Sequence, residues 1–155
     1  MTPSLQEELR QTKPFGSLEQ EATLSVERTS AVLRRAVAEG LRPFGVTPAQ
    51  YNVLRILRGA GPDGLCRHEI SDRLLTQVPD VTRLLDRMEA AGFVTRERST
   101  EDRRLVATRI TDEGRRLLAR IDEPIMRLHA AQLSHVAPEQ LRTLIDLLAL
   151  VRRRG

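Results

Sequence analysis

The chain alternates between stretches in which apolar residues recur every three or four positions and short breaks rich in Gly, Pro and capping residues. This pattern predicts amphipathic helices, each with one face turned towards a core. It predicts an arm over 1–16, then helices over about 17–40, 47–58, 67–75, 76–91 and from 111 onwards, and a last helix after "HVAPEQ".

Three of these helices begin with capping signals. "SLEQ" (Ser17 to Gln20) matches a capping box, in which the Ser side chain accepts from a backbone amide of the first turn and the Gln side chain reaches back. Thr47, Pro48 and Gln50 supply an N-cap, a proline at the first helical position and a side chain that can cap in return. Thr111 is followed by two acidic residues, which complement the positive end of a helix.

One segment breaks the helical pattern. "FVTRERSTEDRRLVATRI" alternates apolar and polar residues and predicts two strands, over about 93–98 and 104–110, around a polar link. Helix, short helix, helix and ribbon is the order of a winged helix-turn-helix. In that fold the third element enters the major groove of DNA, and the ribbon lies along the adjacent backbone or minor groove. We therefore predict a mainly α protein with a small β wing.

Size and composition fit such a domain and exclude several other classes. A chain of 155 residues with 30% charged and 40% hydrophobic residues is ordinary for a soluble globular protein. No apolar stretch approaches the roughly 20 residues that span a bilayer. The first residues lack the apolar core of a signal peptide, so we expect a cytoplasmic protein that does not contact membranes. Aromatic residues make up only 3%, which argues against a base-stacking RNA platform.

The basic residues are almost all arginine. The formal net charge is +4, and Lys13 is the only lysine among 25 basic residues. Arginine recognises phosphate and guanine better than lysine does, because its planar fork donates hydrogen bonds in pairs. A GC-rich genome would also favour arginine throughout, so the distribution of charge has to decide between the two explanations.

That distribution favours the ribbon and the helix before it. One face of helix 76–91 is apolar, and its opposite face and leading end carry polar side chains. The ribbon carries more basic than acidic residues: Arg96, Arg98, Arg103, Arg104 and Arg109 against Glu97, Glu101 and Asp102. The surplus lies where a wing would contact DNA.

The same stretch also resembles a known family. "PDVTRLLDRMEAAGFVTRERSTEDRRLVATRITDEGRRLL" (79–118) resembles the recognition helix, wing and following helix of the MarR family of bacterial transcriptional regulators. Its specific marks are "VTRLLDRMEAAGFV" and the Asp-x-Arg of "DRR". "GVTPAQYNVLRIL" (45–57) resembles the helix before the family's helix-turn-helix, and the flanking helices fit its dimerisation region more loosely.

The resemblance implies a ligand-responsive repressor that binds a pseudo-palindromic double-stranded DNA operator as a homodimer. It divides the chain into an N-terminal arm and dimerisation helix (1–44), a winged helix-turn-helix (45–111) and C-terminal dimerisation helices (112–155). The Asp-x-Arg arginine of the family reaches a minor groove and is braced by a salt bridge from the Asp. Carried over, Asp102 is the brace, Arg104 the reader and Arg103 a second contact.

In the recognition helix, Thr82 and Arg83 match positions that touch DNA in the family, and Gln77, Pro79 and Asp80 occupy the leading end. The start "VPD" replaces the family's usual small polar residues, so its base preference cannot be transferred. Arg83 and Arg104 could instead be solvated or salt-bridged surface arginines. Arg87 is either a further DNA contact or a structural partner of Asp86 and Glu89.

The family also implies a small phenolic or anionic effector, bound between the DNA-binding lobe and the dimerisation helices. Phe44 and Tyr51 are candidates for lining such a crevice, although each could equally be a core residue. For Cys66 we favour a plain residue at a helix start over a redox sensor. The spacing of the three histidines gives no metal-ligand set, so neither metal nor cofactor is predicted.

Enzyme functions lack the necessary parts: the sequence has no Gly-rich phosphate loop, nucleophile motif or metal triad. Two alternatives to a DNA-binding regulator stay open. One is a winged-helix module for protein interaction or dimerisation without DNA readout. The other is a small-molecule-binding protein whose DNA role is vestigial. A pure protein-binding module would not need the arginines of the wing and recognition helix.

Overall fold

Helices and a single two-stranded ribbon follow one another in the predicted order, which confirms the fold class. The computed structural model describes residues 3–102 and 104–153. The helices are α1 (Leu5–Glu8), α2 (Leu18–Leu41), α3 (Pro48–Ala60), α4 (Arg67–Arg73), α5 (Val81–Ala90), α6 (Asp112–Leu133) and α7 (Pro138–Arg152), with a 3-10 turn at Arg42–Phe44. The strands are β1 (Val94–Arg98) and β2 (Val106–Ile110).

The caps predicted at Thr47 and Thr111 are confirmed, and the capping box predicted at Ser17 is confirmed in part. Ser17 Oγ accepts from the Gln20 N–H at 3.2 Å, but Gln20 Oε1 accepts from the Gly16 N–H, at 2.6 Å, and not from that of Ser17. At the start of α3, Thr47 Oγ1 accepts from the Gln50 backbone N–H at 3.2 Å, and Gln50 Oε1 accepts from the Thr47 N–H at 3.0 Å. At the start of α6, Thr111 Oγ1 accepts from the Gly114 N–H at 3.0 Å. The Thr111 hydroxyl also donates to the Gly92 carbonyl at 2.6 Å, which ties the end of the wing to the segment before it.

The recognition helix begins later than the sequence predicted. We expected a start around 76–79, but α5 begins at Val81 with Asp80 as its N-cap. Two local effects explain the difference. Pro79 disfavours helical geometry for the residue before it, and the Asp80 carboxylate satisfies an amide at the helix end. Residues 74–80 therefore form a turn between α4 and α5.

One apolar core joins the helix-turn-helix to the long helices. Leu54 of α3, Leu85 of α5 and Leu118 of α6 are among its most completely buried side chains. Burying such a side chain stabilises the fold by about 1.5–3 kcal/mol. The core thus fixes α5 with its polar face outward.

A charged contact supplements this packing at the surface. The Arg58 guanidinium on α3 donates to both carboxylate oxygens of Asp122 on α6, at 2.6 and 3.0 Å. These bonds hold the pKa of Asp122 below its usual range. The contact ties the DNA-binding lobe to a predicted dimerisation helix.

The wing is an antiparallel ribbon anchored at one end. β1 pairs with β2 from Val94 opposite Ile110 to Arg98 opposite Val106. At the anchored end, Leu65 exchanges two backbone hydrogen bonds with Thr108, at 3.0 and 2.8 Å. We call this end, with the adjoining loop 62–65, the wing root, and residues 98–106 the wing tip.

Candidate nucleic-acid interface

The recognition helix α5 divides cleanly into a buried and an exposed face. Val81, Leu85 and Met88 are buried at helical spacing. Thr82, Arg83 and Arg87 are exposed on the opposite side. No carboxylate lies within 4 Å of either arginine's charged nitrogens in the described parts of the chain. Both arginines are thus available to a ligand.

The turn before α5 gives one predicted contact a different role. Gln77, Pro79 and Asp80 are all exposed, but they lie ahead of the helix and not on its first turn. Asp80 Oδ1 accepts from the Arg83 backbone N–H at 2.9 Å. The structure therefore uses the Asp80 carboxylate to cap the helix, which the sequence analysis missed.

At the wing tip, Asp102 braces Arg104 through the backbone. Asp102 Oδ1 accepts from the Arg104 backbone N–H at 2.9 Å, and the Asp102 carbonyl accepts from the Leu105 N–H at 2.9 Å. The side-chain salt bridge that we expected between Asp102 and Arg104 is not among the ion pairs of the described residues. The hydrogen bond from the backbone N–H fixes the turn, and the exposed Arg104 guanidinium takes no part in it. Arg103 lies outside the described residues.

A groove brings the wing tip and the recognition helix together. A surface cavity of about 420 Å³ lies between α5, the start of α4 and the wing. Thr82, Arg104 and Arg67 all line it. Sequence reasoning missed Arg67, because only the folded chain places the first residue of α4 beside the wing. Groups from three elements thus converge on one surface.

Two other wing arginines are occupied at the wing root. Arg96 Nη2 donates to Asp86 and to Glu89 of α5, the latter at 3.0 Å. The bond to Glu89 raises the pKa of Arg96 and lowers that of Glu89. Arg109 donates to the Pro62 carbonyl at 2.9 Å and to Glu97 Oε2 at 2.8 Å. These two arginines therefore do not belong to the basic surplus that the sequence suggested.

The same contacts decide between the two interpretations of Arg87. Asp86 and Glu89 do hold an arginine, but it is Arg96 of the wing and not Arg87 of their own helix. The structural-partner interpretation of Arg87 was therefore wrong. Arg87 stays exposed on the face that carries Arg83.

The two predicted effector residues lie on α3 and on the 3-10 turn before it. Tyr51 is 9% exposed and belongs to the core, with the Arg55 guanidinium 5.8 Å from its ring centroid. Phe44 is half-buried against that core, and the Arg120 guanidinium of α6 lies 5.9 Å from its ring centroid. Each aromatic side chain thus has an arginine over its face.

Cys66 and the possible metal ligands were the other candidate sites. Cys66 is half-buried at the start of α4, where its backbone N–H donates to Glu69 Oε2 at 2.8 Å. Across the described ranges, no group of three or more His, Cys, Asp or Glu side chains could hold a metal ion. Within the same ranges, no helix is long and apolar enough to cross a membrane.

A recognition helix with one polar face, a braced arginine at the tip of an adjoining ribbon and a groove between them define a winged helix-turn-helix DNA-binding protein. The family model that matches residues 44–105 is that of the MarR family. Over 139 residues, the chain is 32% identical to YkoM of Bacillus subtilis strain 168, an uncharacterized HTH-type transcriptional regulator; the match covers 86% of this chain and 88% of YkoM. The chain belongs to the MarR family of transcriptional regulators, which are not enzymes.

Solved structures agree with this assignment. A MarR transcription factor from Planctomyces limnophilus is 41% identical, with a TM-score of 0.67, covering 88% of this chain and 99% of that one. A cysteine-to-serine mutant of MarR from E. coli, complexed with operator DNA, is 25% identical with a TM-score of 0.79. That match covers 89% of this chain and 100% of the E. coli chain.

Proposed function

We propose that this MarR-family regulator is a homodimeric, ligand-responsive repressor that binds a pseudo-palindromic operator in the cytoplasm. Residues 45–111 form its DNA-binding domain, and the segments 1–44 and 112–155 pair two protomers. Each recognition helix enters a major groove, and the two half-sites lie about one helical turn apart, roughly 10 base pairs.

The observation that carries the DNA-binding proposal is that some arginines of this region have a carboxylate partner and others have none. Arg83 and Arg87 on α5 and Arg104 on the wing have no carboxylate partner within 4 Å among the described residues. Thr82 and Arg104 line a common groove. Unpaired arginines on the recognition helix and on the wing suit phosphate and base edges, whereas a protein-interaction module would not need them. We assign Gln77 and Pro79 to the edge of the same surface, and Arg103 stays a predicted second contact of the wing.

An uncovered apolar face supports the homodimer. No residue of α7 is buried within the protomer. Five of its large apolar side chains are exposed, from 43% for Leu144 to 70% for Val151, and Leu141 and Leu148 are half-buried. Contiguous apolar surface of this kind marks a protein interface, and self-association usually produces a two-fold dimer. Each half of a pseudo-palindromic operator would then meet one protomer.

The effector proposal rests on the two aromatic residues and their arginines. Phe44 lies between the core and Arg120 of α6, which belongs to the proposed dimerisation segment. Tyr51 belongs to the DNA-binding domain, with Arg55 over its ring. A phenolic or anionic molecule that inserted here would meet aromatic faces and guanidinium groups, and it would change the spacing of the two segments.

The proposal is tested by selecting operators from a random duplex library with the full chain. Fluorescence anisotropy then compares the selected duplex with a scrambled duplex at several salt concentrations. We expect a palindromic consensus, affinity that falls steeply with salt because phosphates are neutralised, and one dimer per duplex. A consensus-free selection with equal affinity for both duplexes would favour the interaction-module alternative.

A further inference from the structure

One guanidinium joins the wing to the recognition helix. Arg96 lies on β1, and its Nη2 donates to Asp86 Oδ1 and to Glu89 Oε1 at 2.5 and 3.0 Å. The two acceptors are three positions apart on α5, so they present neighbouring carboxylates on one side of the helix. The Arg96 side chain is only 21% exposed, which is far less than either acceptor.

The position of Arg96 coincides with the point where the core ends beneath the wing. Along the inner face of β1, Val94 is 1% exposed, Arg96 is half-buried and Arg98 is exposed. The paired residues of β2 follow the same trend, because Thr108 opposite Arg96 is buried while Val106 opposite Arg98 is 39% exposed. Beyond Arg96, the ribbon extends with little apolar contact to hold it.

A two-stranded ribbon without a packed face is only marginally stable in water. The orientation of the wing tip relative to α5 therefore depends on the last contact before the ribbon leaves the core. In this protein that contact is the pair of ion pairs made by Arg96. The distance between the groove that α5 enters and the groove that Arg104 reaches depends on the same contact.

We infer that Arg96 is a positioning residue for operator recognition, which acts through Asp86 and Glu89 although it lines the same groove as Thr82 and Arg104. It sets the angle at which the wing tip presents Arg104. The inference rests on the proposed DNA-binding function, but the clamp itself belongs to the free protein.

A mutational cycle on the selected duplex tests this inference. Arg96→Gln removes the donor, and the double variant Asp86→Asn with Glu89→Gln removes the charge of both acceptors. We expect each to weaken binding about tenfold, and the triple variant to be no weaker than either. If Arg96 instead contacted a phosphate directly, Arg96→Gln would weaken binding equally in the wild type and in the double variant. It would also reduce the slope of log affinity against log salt concentration by about 1. That result would overturn the inference.

A second cycle measures positioning itself. Arg104→Ala should weaken operator binding by the full effect of a groove contact in the wild-type background and by much less in Arg96→Gln. The reason is that a wing tip that is no longer held at the right angle does not bring Arg104 to the groove. Arg96→Lys should recover part of the loss, since a lysine can pair with one carboxylate at a time. Equal losses from Arg104→Ala in both backgrounds would contradict a positioning role.

Amide hydrogen exchange of the free protein separates this inference from the proposed function. We expect Arg96→Gln to speed exchange of the wing amides beyond the clamp, at residues 97–102 and 104–106, by about tenfold. Exchange in α3 and α6 should stay unchanged. Unchanged wing exchange would overturn the clamp even if operator binding is confirmed. Faster wing exchange would uphold the clamp even if no operator is found.

Discussion

The root and the tip of the wing use the same residue type in opposite ways. At the root, Arg96 and Arg109 each bind at least one carboxylate, and backbone hydrogen bonds from Leu65 hold the strand. At the tip, the Asp102 carboxylate accepts a hydrogen bond from the Arg104 backbone N–H, and the Arg104 side chain is exposed. The number of arginines therefore says little about DNA contact, whereas a carboxylate partner distinguishes the arginines that hold the fold from those that we propose to contact DNA.

The largest effect that distinguishes the two regions should come from Gly64 at the root. Its φ is +72°, and an added Cβ would collide with the Thr108 carbonyl and lie 2.7 Å from Arg109 Cγ. We expect Gly64→Ala to lower the free energy of unfolding by about 3 kcal/mol, measured by urea denaturation. Gly45→Ala is the matched control, because its φ is +71° and nothing lies within 4 Å of a Cβ there. If both substitutions were equally mild, the root would not be a rigid anchor.

At the tip, a change should affect binding and leave stability alone. We expect Arg104→Ala to weaken operator binding by about 1–3 kcal/mol, because it removes a groove contact. The urea midpoint should not move, since none of the side-chain hydrogen bonds and ion pairs among the described residues involves the Arg104 guanidinium. Arg35→Ala serves as the control, because Arg35 is an exposed arginine on α2 whose ion-pair partner is Glu39. If Arg104→Ala lowered the free energy of unfolding, Arg104 at the tip would stabilise the fold as the arginines at the root do.

Arg109 should give a smaller effect of the opposite kind. Arg109→Met keeps the aliphatic stem but removes the bonds to the Pro62 carbonyl and to Glu97. Both bonds are partly exposed, so we expect a loss of about 0.5–1.5 kcal/mol in unfolding free energy. Operator affinity, measured under conditions where the variant is folded, should change less than with Arg104→Ala. A larger loss of affinity than of stability would place Arg109 on the DNA.

The smallest predicted effect is a pH dependence from the ion pair that Arg96 at the root makes with Glu89 of α5. Arg96 lowers the pKa of Glu89, so the folded carboxylate binds a proton less readily than the unfolded one. Its stabilising contribution is present above the ordinary glutamate range, roughly pH 4.3, and is lost as pH falls through the lowered pKa. An NMR titration of Glu89 should show the lowered value in the wild type and an ordinary value in Arg96→Gln. Identical titrations would remove the ion pair from the root.

The elements that the sequence predicted well are those defined by local patterns. The capping box at Thr47 and the cap at Thr111 are short-range signals, and both mark helix starts in the structure. The cap at Asp80 was also readable, because an Asp directly before the apolar series of α5 is a favoured N-cap. It was missed because the search for base contacts gave that residue another role.

The pairing of the arginines could not be read from the chain. Asp86 and Glu89 are nearer in sequence to Arg87 than to Arg96, and only the packing of β1 on α5 brings Arg96 to them. The groove that joins Arg67, Thr82 and Arg104 depends on three elements meeting in space. The family resemblance predicted Arg104 as the DNA contact of the wing and Asp102 as its brace. Only the structure showed that Asp102 bonds the Arg104 backbone N–H and not its guanidinium.

Hydroxyl-radical footprinting of the selected operator tests most directly that the tip contacts DNA while the root only positions it. With wild-type protein we expect protection at the central major-groove half-sites and at two symmetry-related minor-groove positions outside them. Arg104→Ala should lose the outer protections and keep the central ones, at protein concentrations that saturate the duplex. An unchanged footprint with unchanged affinity would contradict the assignment of Arg104 as the wing's reader.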